Sequence, residues 1–115
     1  DSRVRLEHAI EHVNTHHADA DFAILSGDLL GDELEQDYAD LAHYLSKSKV
    51  PVHAMMGNHD DRALLRKHLG VPSSAMRDFV QYAIEGAYET IICLDTHKEN
   101  AQSGTMCQTR LDWLS

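Results

Sequence analysis

The sequence predicts an α/β fold, on two observations. Short apolar runs at 22–26 and 50–56 alternate with segments in which apolar residues recur at helical spacing. This alternation is typical of parallel strands joined by right-handed helical crossovers. Each apolar run is followed by a glycine and then by a side chain that could bind a metal. At 115 residues the chain suits one domain, which we expect to span 1–115.

The first predicted helix and strand occupy the opening quarter of the chain. From position 4 to about 17, apolar residues at helical spacing predict an amphipathic helix: Leu6, Ala9, Ile10 and Val13. The run at 22–26 is too short and too apolar for a surface helix, so it predicts a strand covered on both faces.

A second helix and strand follow. Apolar residues again recur at helical spacing: Leu34, Tyr38, Leu41, Ala42 and Leu45. The run at 50–56 then predicts a strand, and Pro51 is acceptable because it lies near the strand's start.

The second half predicts a short helix, a hairpin and the start of a further helix. Residues 62–69 form the short helix, with Asp60 or Asp61 placed to cap its first amides and Gly70 placed to end it. The stretches 80–84 and 88–94 flank Glu85-Gly86-Ala87 and predict the hairpin. Residues 110–114 predict the opening of the last helix.

Both ends of this arrangement lack an expected partner. The first helix has no strand before it, and the last helix has barely one turn. We therefore expect an incomplete domain, truncated at both ends, whose first strand and C-terminal part are missing.

Charge and composition limit the classes of partner. The net charge of −9 leaves no basic patch for a nucleic acid polymer or an anionic membrane surface. Two cysteines make neither a disulfide framework nor a zinc-type pairing. The given residues contain no signal-like leader and no membrane-length apolar run, although a leader upstream of residue 1 stays open. We expect a soluble, cytoplasmic protein, with a homo-oligomer possible. A small phosphorylated substrate is compatible with the charge if bound cations supply a positive field.

Two polar loops carry the chemistry. Gly27-Asp28 follows the first predicted strand, and Gly57-Asn58-His59-Asp60 follows the second. Ligands of open α/β sheets bind beyond the carboxyl ends of the strands, so we expect one shared site. Asp28 could bridge two cations, and Asn58 offers a neutral carbonyl oxygen. His59 could donate a hydrogen bond to a phosphate oxygen, with Asp60 either orienting its ring or capping the next helix.

These motifs resemble a known family. Gly27-Asp28-Leu29-Leu30-Gly31 and Gly57-Asn58-His59-Asp60 are similar to the central two signatures of calcineurin-like metallophosphoesterases. Asp61-Arg62, Cys93-Leu94-Asp95-Thr96 and Leu111-Asp112-Trp113-Leu114 resemble one branch of that family. This branch contains bacterial class III cyclic-nucleotide phosphodiesterases and glycerophosphodiesterases.

The resemblance implies a dinuclear hydrolase. Asp28 would bridge two metal ions, Asn58 would bind the second, and His59 would contact the scissile phosphate without binding metal. A metal-held hydroxide would attack phosphorus. The metals would be manganese, iron or zinc, which suit mixed oxygen and imidazole ligands.

The remaining ligands of the family pattern are not in this chain. Its Asp-x-His would lie before residue 1, and its later histidine and Gly-His-x-His would lie beyond Ser115. His97 matches neither motif and is not assigned as a ligand. The chain alone should therefore bind metal weakly and turn over little or nothing.

Several alternatives stay open. Cyclic nucleotides are the leading substrates, with glycerophosphodiesters or another phosphoester next. A non-catalytic scaffold or interaction module with the same fold is the rival class, although retention of Asp28, Asn58 and His59 together argues against it. A receiver domain phosphorylated on Asp28 would give Asn58 and His59 no role. We expect His8, His12 and His16 to form a solvated stripe and Asp32 to be a solvated loop carboxylate. Arg62 could neutralise a substrate phosphate, but we expect a surface ion pair.

Overall fold

The computed structural model describes residues 2–28 and 35–115, except for the side chain of Ser2. The predictions for residues 29–34, among them Asp32 and Leu34, lie outside these ranges. The described elements are α1 (Ser2–His16), β1 (Ala23–Leu25), α2 (Glu35–Leu45), β2 (Val52–Ala54), α3 (Arg62–Leu69), β3 (Tyr82–Glu85), β4 (Thr90–Cys93) and α4 (Gln108–Leu114). The predicted α/β class, with parallel strands, a hairpin and flanking helices, is confirmed. No helix within the described ranges has the length and apolar character needed to cross a membrane.

Strands β1 and β2 pair in parallel, with Ile24 opposite His53. The ladder continues beyond the strands, because Met55 donates its N–H to the carbonyl of Leu25 at 2.9 Å. Both strands are shorter than the apolar runs that predicted them. Their carboxyl ends lie side by side, so the chain leaves both strands at the same edge of the sheet.

The prediction that the first strand is covered on both faces is wrong. Ala23 and Leu25 are half-buried, but Ile24 between them is 38% exposed. Successive side chains of a strand point to opposite faces. Within the described residues, the face that carries Ile24 is therefore only partly covered.

The core lies where α2, α3, the end of β2 and the hairpin meet. Its buried members are Tyr38, Ala54, Met56, Leu65, Val80, Tyr82 and Cys93. The hydroxyl of Tyr82 donates to the carbonyl of Ala54 at 2.6 Å, which joins the hairpin to the parallel pair. Burial raises the pKa of Tyr82, so this hydroxyl stays protonated and remains a donor.

Among the described residues, helix α1 packs through a narrow face. Ile10 is buried, whereas Ala9, predicted on the same face, is exposed. The side chain of Asn14 donates to the carbonyl of Lys47 at 2.9 Å and accepts from the N–H of Lys49 at 2.7 Å. These bonds fix the helix against the turn that follows α2. The three histidines of the predicted stripe, at 8, 12 and 16, are exposed.

Helix α3 has the predicted bounds. Asp61 is its N-cap residue and accepts from the N–H of Leu64 at 2.9 Å. Gly70 ends it with φ +75°, a conformation that favours glycine, and donates its N–H to the carbonyl of Arg66. Of the two candidate caps, Asp61 therefore does the capping.

The hairpin is confirmed, but its turn lies later than predicted. Tyr82 pairs with Cys93 and Glu85 with Thr90, and the N–H of Gly86 donates to the carbonyl of Glu89 at 2.7 Å. Tyr88, predicted in the second strand, is 98% exposed in the turn. The four-residue turn at 86–89 therefore replaces the three-residue one predicted at 85–87.

Candidate active site

The first polar loop leaves β1 in an unusual backbone conformation. Gly27 has φ +100° and Asp28 has φ +50°, both in the left-handed region. Non-glycine residues adopt this region at a cost of about 1–2 kcal/mol, although aspartate tolerates it better than most. The carboxylate of Asp28 accepts from the N–H of His59 at 3.3 Å. This conformation directs Asp28 toward the second loop.

Asp28 and Asn58 meet at the carboxyl end of the parallel strands. One atom of the Asn58 amide lies 2.9 and 3.2 Å from the two carboxylate oxygens of Asp28. With nitrogen at that position, Asn58 donates hydrogen bonds to Asp28; with oxygen there, three oxygen atoms face one another. The surrounding groups favour the first arrangement in the metal-free protein. A bound cation would favour the second, in which Asp28 and Asn58 both present oxygen atoms to it.

Two glycines make this approach possible. A Cβ on Gly57 would lie 2.1 Å from the Asp28 nitrogen and 2.2 Å from its Oδ1. A Cβ on Gly27 would lie 2.9 Å from the Gly57 nitrogen. Gly57 is therefore required for space, and Gly27 for both space and backbone conformation.

Asp60 closes the turn that carries Asn58 and His59. Its carboxylate is buried and accepts from the N–H of Gly57 at 2.9 Å and from the hydroxyl of Tyr38 at 3.4 Å. His59 is exposed at the surface of the site. Orientation of the His59 ring by Asp60 stays a prediction.

The buried carboxylate of Asp95 lies beside the site. Asp95 belongs to the Cys93-Leu94-Asp95-Thr96 segment that resembles the family branch, but no role was predicted for it. Arg62 donates to it twice, from Nε at 2.6 Å and from Nη2 at 3.0 Å. The N–H of Val80 donates to it at 2.9 Å. Burial would raise the pKa of Asp95, but the hydrogen bonds and charge of Arg62 and the Val80 amide outweigh burial and lower it.

The expectation of a surface ion pair at Arg62 is therefore wrong. Its partner, Asp95, is fully buried, and the Arg62 side chain is 19% exposed. Arg110 approaches the same carboxylate at 3.8 Å. The guanidinium carbons of Arg62 and Arg110 lie 4.9 and 4.4 Å from the centroid of the Phe79 ring. The sequence signals for Asp95 were its place in the Cys93-Leu94-Asp95-Thr96 segment and the position of an acid just after an apolar run.

A cleft of about 690 Å³ adjoins the second loop. Residues 58–63 line one part of it, and a second part is formed by Asp78, His97 and residues 99–102. Its volume lies within the range of small-molecule sites. Of the described residues that line it, Arg62 alone carries a permanent positive charge, and Arg62 is paired with Asp95. An anionic ligand would therefore need a bound cation to enter.

Within the described ranges, no three or more His, Cys, Asp and Glu side chains are grouped so that they could hold a metal ion. Asp28 and Asn58 supply two ligand side chains at most. Such a pair would bind a cation weakly without further ligands.

Comparison with known proteins identifies the family. Residues 1–114 match the family model described as calcineurin-like phosphoesterase. The chain belongs to the calcineurin-like phosphoesterase family. This confirms the resemblance drawn from the two loop motifs.

Relatives of this chain carry phosphodiesterase names. The chain is 38% identical over 117 residues to a probable cyclic nucleotide phosphodiesterase of Rhodopseudomonas palustris, covering 99% of this chain and 42% of the relative. It is 29% identical over 96 residues to a probable cyclic nucleotide phosphodiesterase of Fibrobacter succinogenes, covering 84% of this chain and 36% of the relative. It is also 29% identical over 94 residues to a 3',5'-cyclic-nucleotide phosphodiesterase of Nostoc, covering 82% of this chain and 34% of the relative. The chain therefore spans well under half the length of these curated relatives.

Proposed function

We propose that the full-length protein is a metal-dependent phosphodiesterase whose substrates are 3',5'-cyclic nucleotides. The observation that carries the proposal is the contact of 2.9 Å between the side chains of Asp28 and Asn58 beyond two parallel strands. The printed names of the relatives support the substrate class. We also infer action in the cytoplasm, where the free thiols of Cys93 and Cys107 would stay reduced.

Asp28 and Asn58 would hold the metal ions, with Asp28 shared between two of them. The carboxylate supplies two oxygens and partly neutralises both cations, whereas the amide supplies a neutral oxygen. When bound, the ions (manganese, iron or zinc) would lower the pKa of a water molecule and stabilise charge on the phosphoryl group. They would also offset the acidic lining of the cleft.

His59 would act on the substrate itself. Its main-chain N–H is fixed on Asp28 at 3.3 Å, while its side chain is exposed and lines the cleft. A ring N–H there can donate to a phosphoryl oxygen as negative charge develops. The buried Asp60 would serve this step by keeping the turn closed.

The test is metal analysis and hydrolysis by the full-length protein and two variants. Asn58→Ala should lower the content of one metal ion, measured by atomic emission after loading with Mn²⁺. His59→Ala should retain both metals and lose about a hundredfold in kcat for 3',5'-cyclic AMP, the usual effect of removing a donor to developing charge. His16→Ala, on the exposed side of α1, is the control and should change neither.

Two outcomes would contradict the proposed function. One is unchanged metal content and unchanged hydrolysis in both variants. The other is a metal-loaded wild-type protein that cleaves no phosphodiester, which would favour the scaffold function. Cleavage of glycerophosphodiesters with no cleavage of cyclic nucleotides would contradict the substrate class and leave the metal assignment intact.

A further inference from the structure

The main chain of His97 is fixed by the buried Asp95 network. Its N–H donates to Asp95 Oδ1 at 3.0 Å. Its carbonyl accepts from Arg62 at 2.7 Å and from Arg110 at 3.2 Å. His97 belongs to a loop, 96–105, in which the N–H of Thr105 donates to the Thr96 carbonyl at 2.8 Å. Three main-chain bonds therefore hold one histidine at the edge of the cleft.

The ring of His97 has an enclosed nitrogen without a partner. Among the buried side-chain nitrogen and oxygen atoms of the described residues, only Nδ1 of His97 makes no hydrogen bond. An unpaired buried N–H is rarer and more costly than an unpaired acceptor. The neutral ring is therefore more stable with its proton on Nε2. The residue lines the same cleft as Asn58 and His59.

This arrangement does not suit a metal ligand. Coordination through Nε2 would require the proton to move to Nδ1, where it would be buried without an acceptor. Metal-bound histidines almost always donate their other ring N–H to a carboxylate, carbonyl or water. No described residue offers His97 such a pairing, so its available chemistry is that of a hydrogen-bond donor from Nε2.

We infer that His97 is a substrate-binding residue that donates from Nε2 to a phosphoryl oxygen of the phosphodiester. The inference rests on the proposed function for the identity of the substrate. The guanidinium groups of Arg62 and Arg110 both bond to the Asp95 network. His59 and His97, from different chain segments, are the two histidines among the described residues that line the cleft. Both rings could donate hydrogen bonds to the phosphoryl group.

The test compares three variants of the full-length protein. His97→Phe keeps an aromatic ring and removes the donor, and His97→Gln keeps an N–H near the position of Nε2. Lys98→Ala, an exposed neighbour, is the control. We expect kcat/KM for 3',5'-cyclic AMP to fall about tenfold in His97→Phe, the effect of one neutral hydrogen bond. His97→Gln should recover part of that loss, and metal content should not change in any variant.

Two further measurements do not depend on turnover. In ¹⁵N-histidine NMR spectra of the wild type, His97 should show the Nε2–H tautomer. Its signals should shift when inorganic phosphate is added to protein that is loaded with Zn²⁺ and contains no Mn²⁺. The dissociation constant of phosphate for the Zn²⁺-loaded protein should rise about tenfold in His97→Phe.

The outcomes separate this inference from the proposed function. A wild type that binds phosphate through His97 but cleaves no phosphodiester would contradict the function and support the binding role. Hydrolysis that persists with unchanged kcat/KM and phosphate affinity in His97→Phe would overturn the inference alone. Loss of metal in His97→Phe, or an Nδ1–H tautomer, would also overturn it, because either would make His97 a different kind of group.

Discussion

The hydroxyl of Tyr38 accepts a hydrogen bond from the main-chain N–H of Asp61 at 2.7 Å. Tyr38 lies on α2 and is fully buried, and Asp61 is the N-cap residue of α3. The same hydroxyl donates to Oδ1 of Asp60 at 3.4 Å. The Tyr38 hydroxyl on α2 therefore fixes the end of the loop that carries Asn58 and His59.

Tyr38→Phe should destabilise the protein by about 1–3 kcal/mol, because it leaves a part-buried N–H and a buried carboxylate without this partner. Equilibrium urea unfolding would measure the change. Tyr88→Phe is the matched control, since Tyr88 is 98% exposed and should be neutral. Equal stability of the two variants would mean that the Tyr38 hydroxyl contributes nothing to the loop.

Asp95→Asn should cost about 3 kcal/mol or more at pH 7, because it leaves Arg62 and Arg110 beside a neutral amide. The pKa of Asp95 in the folded protein lies below its ordinary 3.8. Its carboxylate therefore adds stability that is complete above pH 3.8 and is lost as pH falls through the folded pKa.

Urea unfolding of wild type and Asp95→Asn between pH 3 and pH 7 would check this dependence. The free energy of unfolding of the wild type should exceed that of Asp95→Asn by a constant amount in the upper part of that range, and this difference should shrink below about pH 4. Asp112→Asn, an exposed change on α4, controls for general effects of lost negative charge. A difference that stays constant down to pH 3 would contradict the ionised role of Asp95.

Local signals predicted some elements well, and contacts distant in sequence explain the rest. Helix α3 was predicted with its correct bounds because its cap at Asp61 and its stop at Gly70 are local features. Tyr88 was misplaced because tyrosine favours strands, yet the backbone turns before the strand begins. The pair of Arg62 and Asp95 spans 33 positions. No local pattern links two such residues, so the buried network beside the site could not be predicted.

Gly57→Ala should disrupt the loop pair, because its Cβ would meet Asp28 main-chain and carboxylate atoms at 2.1 and 2.2 Å. Such overlap forces Asp28 away and should destabilise the protein by about 1–3 kcal/mol. Gly86→Ala is the control. Its new Cβ would mainly meet the flexible carboxylate end of Glu89, which can move aside. Thermal unfolding of the full-length protein with and without Zn²⁺ would measure both stability and metal binding, and Gly57→Ala should lose the stabilisation by metal.

Asn58→Asp should make the protein depend on metal for stability. In the metal-free state, the new carboxylate would face Asp28, whose oxygens lie 2.9 and 3.2 Å from the present amide, and the repulsion should cost about 1 kcal/mol. A bound cation would reverse the sign, since two carboxylates attract it more strongly than a carboxylate and an amide.

Thermal unfolding of the full-length Asn58→Asp variant in EDTA and in excess Zn²⁺ would measure both effects. The variant should unfold below the wild type in EDTA and gain more than the wild type from metal, because ligand binding to the folded state adds RT ln(1 + [L]/Kd). Asn100→Asp is the matched control: it adds the same charge to the second part of the cleft lining, and its backbone already has φ +58°, which aspartate tolerates. Equal responses of the two variants to Zn²⁺ would show that proximity to Asp28 has no special effect, and the shared metal site at positions 28 and 58 would then be wrong.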